Sequence, residues 1–390
     1  MNVVVTGIGL ISSLGNLSQS WQRLLEGKTG ITRQQPFSDL PALPLGLIGH
    51  KPAFLEDLTK IALIAALEDA KLTPPLKDCG VTIGSSRGCQ GLWERMAATG
   101  IVENWLDSLP DRASVLTARI IETSAPVLAP MAACATAIWS IAQGVELITM
   151  GECDRVLAGA IETPITPLTL VGFEQIGALA KTGCYPFDRA REGLVLGEGG
   201  AILVLESEEL ALRRNAPIYG QILGYGFTCD ADHLSAPAVD NRSATKAIEL
   251  CLHRSQLRKD EINYIHAHGT STRLNDEREA NLIASIFGSQ VAVSSTKGAT
   301  GHTLGASGAL GVAFCLMALK NQLIPPCVGV RESPFQLNLT RSAVNFSPHN
   351  CLCLSFGFGG QNAAIAVERW GRGECRRGES GGTTSPGKPI

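Results

Sequence analysis

Residues 135–160 read ATAIWSIAQGVELITMGECDRVLAGA, and this stretch decides the architecture. From Ala135 to Met150 apolar side chains fall on nearly every face of a helix, as in a helix buried all round. A polar turn then leads into Val156 to Ala160, an apolar run without alternation, which is the pattern of a strand covered on both faces. Working outward, similar runs recur at Val3 to Thr6, Val81 to Ile83, Ala201 to Leu205, Ile262 to Ala267, Val291 to Ser295 and Ala363 to Val367. Helical stretches lie between them at Thr59 to Ala70, Ala244 to Arg254 and Arg278 to Phe287. The alternation predicts an α/β protein whose helices cover a largely parallel sheet.

The chain has 390 residues, 45% hydrophobic and 18% charged, enough for a large core and too long for one small module. The polar stretch Glu206 to Ala216 suggests a boundary, giving halves 1–207 and 208–370. Residues 371–390 hold six glycines and almost no apolar side chains, so a disordered tail is expected there. Residues Gly88 to Ala125 read only as a helix-containing excursion. With 33 Lys+Arg against 36 Asp+Glu the net charge is −3, and no bulk field favours nucleic acid or anionic lipid as a partner. The opening residues lack a basic leader, and the apolar stretch Gly305 to Leu319 is short for a bilayer, so a soluble cytoplasmic location is expected. Twelve cysteines sit scattered in apolar contexts without any C-x-x-C pair. They predict neither a disulfide scaffold nor structural zinc.

Four stretches carry chemistry. Cys134 stands where a helix begins, and the positive end of the helix dipole is expected to lower its thiol pKa. In Tyr264-Ile-His-Ala-His268-Gly-Thr270-Ser-Thr272, alternation puts His266 and His268 on one face, with His268 at the carboxyl end of a buried strand. A zinc pair His266/His268 is conceivable there, though no third ligand is suggested. Ser294-Ser-Thr-Lys297-Gly-Ala-Thr-Gly-His302 is a strand running into a glycine-rich turn. It leads to a helix of small residues whose backbone suits close packing against another helix, and it lacks the Walker spacing. In Phe356-Gly-Phe358-Gly-Gly360, glycines flanking aromatics let backbone amides face an oxyanion, or simply form a tight turn between strands.

Taken together and in this order, the four stretches resemble the β-ketoacyl-acyl-carrier-protein synthases, most closely the KAS II type of condensing enzyme. Tyr185-Pro-Phe-Asp through Gly199 and Asp230-Ala-Asp-His233-Leu-Ser-Ala-Pro237 are similar to further family signatures. The resemblance implies a thiolase fold, with two pseudo-symmetric halves forming a five-layered αβαβα core, in a homodimer. It implies decarboxylative condensation of an acyl thioester with malonyl-acyl-carrier protein in fatty acid synthesis. Cys134 matches the nucleophile, His268 and His302 the two histidines that act on the malonyl unit, and Lys297 the lysine supporting them. Thr270 and Thr272 match threonines contacting the phosphopantetheine arm, and Glu279 a supporting carboxylate. Phe356 belongs to the substrate-binding stretch, and Phe358 matches a gating aromatic whose amide joins that of Cys134 in an oxyanion hole. No cofactor or metal of the enzyme's own is expected, since the substrates ride on the carrier protein's arm. A specialised glycolipid or polyketide ketosynthase is the alternative, with a non-elongating chain-length-factor-like subunit or a cysteine hydrolase behind it.

The chain departs from that pattern at Ala137, where a glycine is usual, at Arg273 in place of proline, and at Leu194 in place of phenylalanine. Gly311 stands where relatives often carry a buried glutamate.

Overall fold

The computed structural model describes residues 1–102 and 104–371. The expected tail, 372–390, lies outside the described residues. The first half runs β1 (Val3–Ser12), α1 (Leu55–Asp69), β2 (Cys79–Gly84), α2 (Arg112–Ile121), β3 (Val127–Leu128), α3 (Thr136–Thr149), β4 (Arg155–Glu162) and β5 (Gly199–Ser207). The second repeats that course as β6 (Gly220–Cys229), α4 (Arg242–Arg254), β7 (Tyr264–His266), α5 (Arg273–Phe287), β8 (Ala292–Ser294), α6 (Ser307–Asn321), β9 (Asn350–Gly357) and β10 (Gln361–Arg369).

Among these strands the order is β3-β2-β4-β5-β1 in one half and β8-β7-β9-β10-β6 in the other, so each of them has a counterpart at the same place, and a short strand at Asn338–Leu339 extends the second half's edge beyond β8. The two sheets join where β1 pairs antiparallel with β6, Val4 opposite Gln221. Between the sheets lie α3 and α6, while α1 and α2 cover one outer face and α4 and α5 the other. Three hydrophobic clusters fill the spaces between these five layers.

A largely parallel sheet is not what forms. Strands joined through helices, β2 with β4 and β7 with β9, pair parallel. The last two strands of each half pair antiparallel, as do β1 with β5 and β6 with β10. In the second half the reversal follows from the turn at Phe358 to Gly360, which is too short for a crossover. β1 also runs on to Ser12 through Gly7 and Gly9. A Cβ at Gly9 would lie 1.8 Å from the Ala62 carbonyl oxygen, so the bare backbone lets α1 seat against the strand. Helix α5 begins at Arg273, earlier than the apolar pattern indicates, because the Thr272 hydroxyl accepts from the Asn275 amide and caps it. From Leu304 the α6 segment is 18 residues long, long and apolar enough to cross a membrane, yet 83% of it is buried inside the protein.

The small residues of α6 do allow close approach. A Cβ at Gly308 would lie 2.9 Å from Ile138 and 3.3 Å from Ala137, so the Ala137 methyl belongs to the crossing of the two central helices. Gly311 packs against His266 and Cys353, whose Nδ1 and Sγ would stand 2.8 and 2.7 Å from an added Cβ. Those two side chains fill the volume that a larger residue would occupy. Among the described residues every cysteine is free, and all but Cys229 are buried.

Candidate active site

The symmetry brings the N-terminal ends of α3 and α6 together. Cys134 precedes α3 and His302 precedes α6, while His268 follows strand β7. The sulfur and one nitrogen from each imidazole lie within 4.8 Å of one another. They line a cavity of about 350 Å³ together with Thr270, Thr272, Phe356 and Phe358. Residues Asp230 and Ser235 to Pro237 stand at the same cavity, as does Arg273. Apart from His266, every site residue read from the sequence converges there directly or one contact behind it.

Cys134 is held by a strained turn. Ala133 adopts φ +47°, a left-handed conformation that is unfavourable for a residue with a Cβ. The Thr136 hydroxyl accepts from the Ala132 amide at 2.9 Å and donates to the Ala133 carbonyl at 2.6 Å, and the Ser355 hydroxyl donates to the Cys134 carbonyl at 2.8 Å. Gly357 lets strand β9 pass beside the nucleophile, since a Cβ there would lie 2.9 Å from the Cys134 nitrogen. Beyond it the Phe358 amide donates toward the thiol. The amides of Cys134 and Phe358 thus border the sulfur, where an oxyanion would form.

Burial pushes the Cys134 thiol up to about 11, against the pull of the Lys297 and Arg87 charges and the Phe358 amide. Burial thus moves the thiol in the direction opposite to the lowering expected from helix position. Both histidines are held well below their usual range, first by burial and then by the Lys297 charge. Each is a neutral imidazole at pH 7. Lys297 Nζ donates to the His268 carbonyl and stands 3.4 Å from its Nδ1. A cation at Nδ1 leaves the ring proton on Nε2, so that His268 offers an N–H from its other nitrogen. Phe356 meets the His268 ring edge-on at 5.9 Å, and the two histidine rings are themselves T-shaped at 5.2 Å.

Glu279 works from behind. Its carboxylate accepts the amides of His268 at 2.6 Å and Gly269 at 2.7 Å, and burial raises its pKa to about 7. Thr270 and Thr272 place their hydroxyls 2.9 Å apart on the cavity wall. His266, by contrast, faces away. The strand ends at His266, so the alternation stops, and its Nε2 meets the Thr296 hydroxyl at 3.0 Å while Nδ1 lies 3.8 Å from Cys353 Sγ. The His266/His268 zinc pair is thereby overturned. Cys134, His268 and His302 have the spacing to grip a soft cation instead.

Sequence reasoning missed Glu162, Arg87 and Phe173. Glu162 ends β4 and accepts from the Ser85 hydroxyl, the Ser86 amide and hydroxyl, and the Arg87 amide, at 2.6 to 3.0 Å. Phe173 packs at 5.8 Å against Phe358. The available signal was position: Glu162 and Arg87 stand at or just beyond the carboxyl ends of buried strands, as His268 does.

Comparison with known proteins agrees with this geometry. Residues 54–211 match the family model "Beta-ketoacyl synthase, N-terminal domain" and residues 219–331 match "Beta-ketoacyl synthase, C-terminal domain". The chain is 34% identical to a 3-oxoacyl-acyl-carrier-protein synthase 2 of Synechocystis sp., covering 94% of this chain and 98% of that one. It is 31% identical to its namesake from Staphylococcus aureus, covering 95% and 99%. Among solved structures, the ishigamide ketosynthase/chain length factor matches with a TM-score of 0.88 at 29% identity, over 95% of this chain and 99% of that one. A type II polyketide ketosynthase in complex with its acyl-carrier protein matches with the same score at 26% identity, over 94% and 99%.

The fold is that of the thiolase-like condensing enzymes. The chain belongs to the beta-ketoacyl synthase family, and it is an acyltransferase of the condensing type.

Proposed function

We propose that this protein extends acyl chains carried on acyl-carrier protein, with Cys134 as acyl acceptor and His268 and His302 as the groups that act on the malonyl unit. The observation that carries this is one thiol and two neutral imidazoles around a single point. In the first step Cys134 Sγ attacks the acyl thioester. The carbonyl oxygen becomes an oxyanion facing the amides of Cys134 and Phe358, and the carrier's phosphopantetheine sulfur leaves with the thiol proton. Malonyl-carrier protein then occupies the cavity, its arm passing Thr270 and Thr272.

Breaking the bond to CO2 sends an electron pair into the thioester, and the new enolate oxygen is met by the two imidazole N–H donors. Neutral rings suit this because they donate without a counter-charge. Lys297 fixes the His268 tautomer, and Glu279 fixes the backbone that carries it. The enolate carbon attacks acyl-Cys134, and collapse of the tetrahedral intermediate expels the Cys134 thiolate, which regains one proton from solvent. The net change consumes one proton and yields CO2, free carrier thiol and a β-ketoacyl chain. No cofactor of the enzyme's own takes part.

We further infer a homodimer in the cytoplasm, with acyl-carrier protein as the macromolecular partner. The relatives are named for synthesis on that carrier, and one structural neighbour is a complex with it. Mutation of Cys134 to Gln tests the scheme. Radiolabelled malonyl-carrier protein should still lose CO2 in that variant, while chain extension stops; extension that persisted would exclude the scheme. Release of free fatty acid in place of a longer β-keto chain would favour a hydrolase.

A further inference from the structure

The histidine-lined cavity is not the only space that reaches Cys134. A second lobe of about 380 Å³ shares Cys134, Phe173, Leu304 and Phe358 with it but touches neither histidine. Arg87 lines this lobe. Its guanidinium carbon stands 5.7 Å from the centre of the Phe173 ring, and its backbone amide is fixed by Glu162 at 3.0 Å. The residue is half-buried, and its guanidinium makes no hydrogen bond or ion pair with any described residue.

Acyl-Cys134 must place its chain somewhere other than the space the malonyl unit needs beside the histidines. The second lobe is lined by the same cysteine and by neither histidine. Stacking on Phe173 occupies a face of the guanidinium, and the N–H edges remain for an acceptor. A saturated chain laid along this lobe removes water from those N–H groups and returns no hydrogen bond, whereas an oxygenated chain returns one that is charge-assisted.

We propose that Arg87 selects the acyl group that Cys134 accepts, favouring chains that carry a ketone or carboxylate oxygen over saturated chains of the same length. This rests on Cys134 as acyl acceptor, and loading is therefore measured apart from condensation. The full-length protein is given octanoyl-, β-keto-octanoyl- and suberoyl-acyl-carrier protein, without malonyl substrate. Initial rates of acyl addition to Cys134 are read by intact-protein mass spectrometry.

At least one oxygenated chain should load about tenfold faster than octanoyl, the two arms telling ketone from carboxylate. Arg87→Leu should load octanoyl as fast as the oxygenated chains, and Arg87→Lys should keep part of the preference. Octanoyl loading as fast as both others in the unaltered protein would overturn the proposal. So would a preference that survives in Arg87→Leu unchanged. Should the leucine variant fail to fold, the unaltered protein and the lysine variant decide alone. Selective loading without later condensation would uphold Arg87's role and sink the proposed elongation, while no loading of any chain would sink both.

Discussion

The two halves of the molecule follow the same course through space and deliver opposite chemistry. At the head of its central helix the first half places a thiol, and the second half places an imidazole. After the equivalent strands β2 and β7, each half ends in a turn whose successive amides are gripped by a buried glutamate. Glu162 holds Ser86 and Arg87, and Glu279 holds His268 and Gly269. The same device thus presents an arginine to one lobe and a histidine to the other. The fold supplies addresses, and under the proposed function the side chain at each address sets whether the half receives an acyl chain or handles the malonyl unit.

The sharpest way to break this division is to disable one half. His302→Ala or His268→Ala should lower malonyl decarboxylation by roughly 10²–10³-fold, the range for loss of one oxyanion donor. Acyl loading of Cys134, measured by intact mass, should fall far less. Equal loss in both assays would show that the histidines serve the first half's chemistry too.

A second experiment separates burial from helix position at Cys134. With the thiol pushed up to about 11, its alkylation by iodoacetamide should keep rising, close to tenfold per pH unit, from pH 7 through pH 9. Peptide-level mass spectrometry distinguishes it from the exposed Cys229. A plateau near pH 7 would mean that the helix end prevails.

Glu279 gives a test of the second half's scaffold. Its pKa is raised to about 7 from an ordinary 4.5, so the native state holds a proton that the unfolded chain has already lost. The stability this contributes is fully present below pH 4.5 and is lost as pH rises through 7. The protein should therefore lose more thermal stability between pH 5 and pH 8 than Glu279→Gln does; parallel curves would rule this out.

The smallest effect expected is at the seam between halves. Gly308→Ala inserts a methyl against Ile138 and Ala137, and overpacking of this kind costs about 1–3 kcal/mol. A denaturant midpoint that stays unchanged would show that the central helices slide apart freely.

Much was legible from residue order. Non-alternating runs such as Val156 to Ala160 marked strands covered on both sides, and the all-round apolar face of Ala135 to Met150 marked a helix that could only be central. His268 was legible because strand and residue type coincide at a carboxyl end. The antiparallel pairings were not, since a single strand's pattern records burial on its two faces and says nothing about the direction of its neighbours. Nor was the parting of His266 from His268, for alternation holds only while the strand lasts, and where it stops depends on what packs beside it.

Composition and periodicity by themselves determined the α/β class, and the family resemblance carried by the motifs in their order supplied the chemistry expected of Cys134, His268, His302 and Lys297. Only the tertiary structure decided that the thiol rests protonated, that both imidazoles rest neutral, and that Arg87 lines a cavity shared with Cys134. Ionisation and convergence depend on how much water distant segments exclude from a shared point, and no local stretch of chain carries that information.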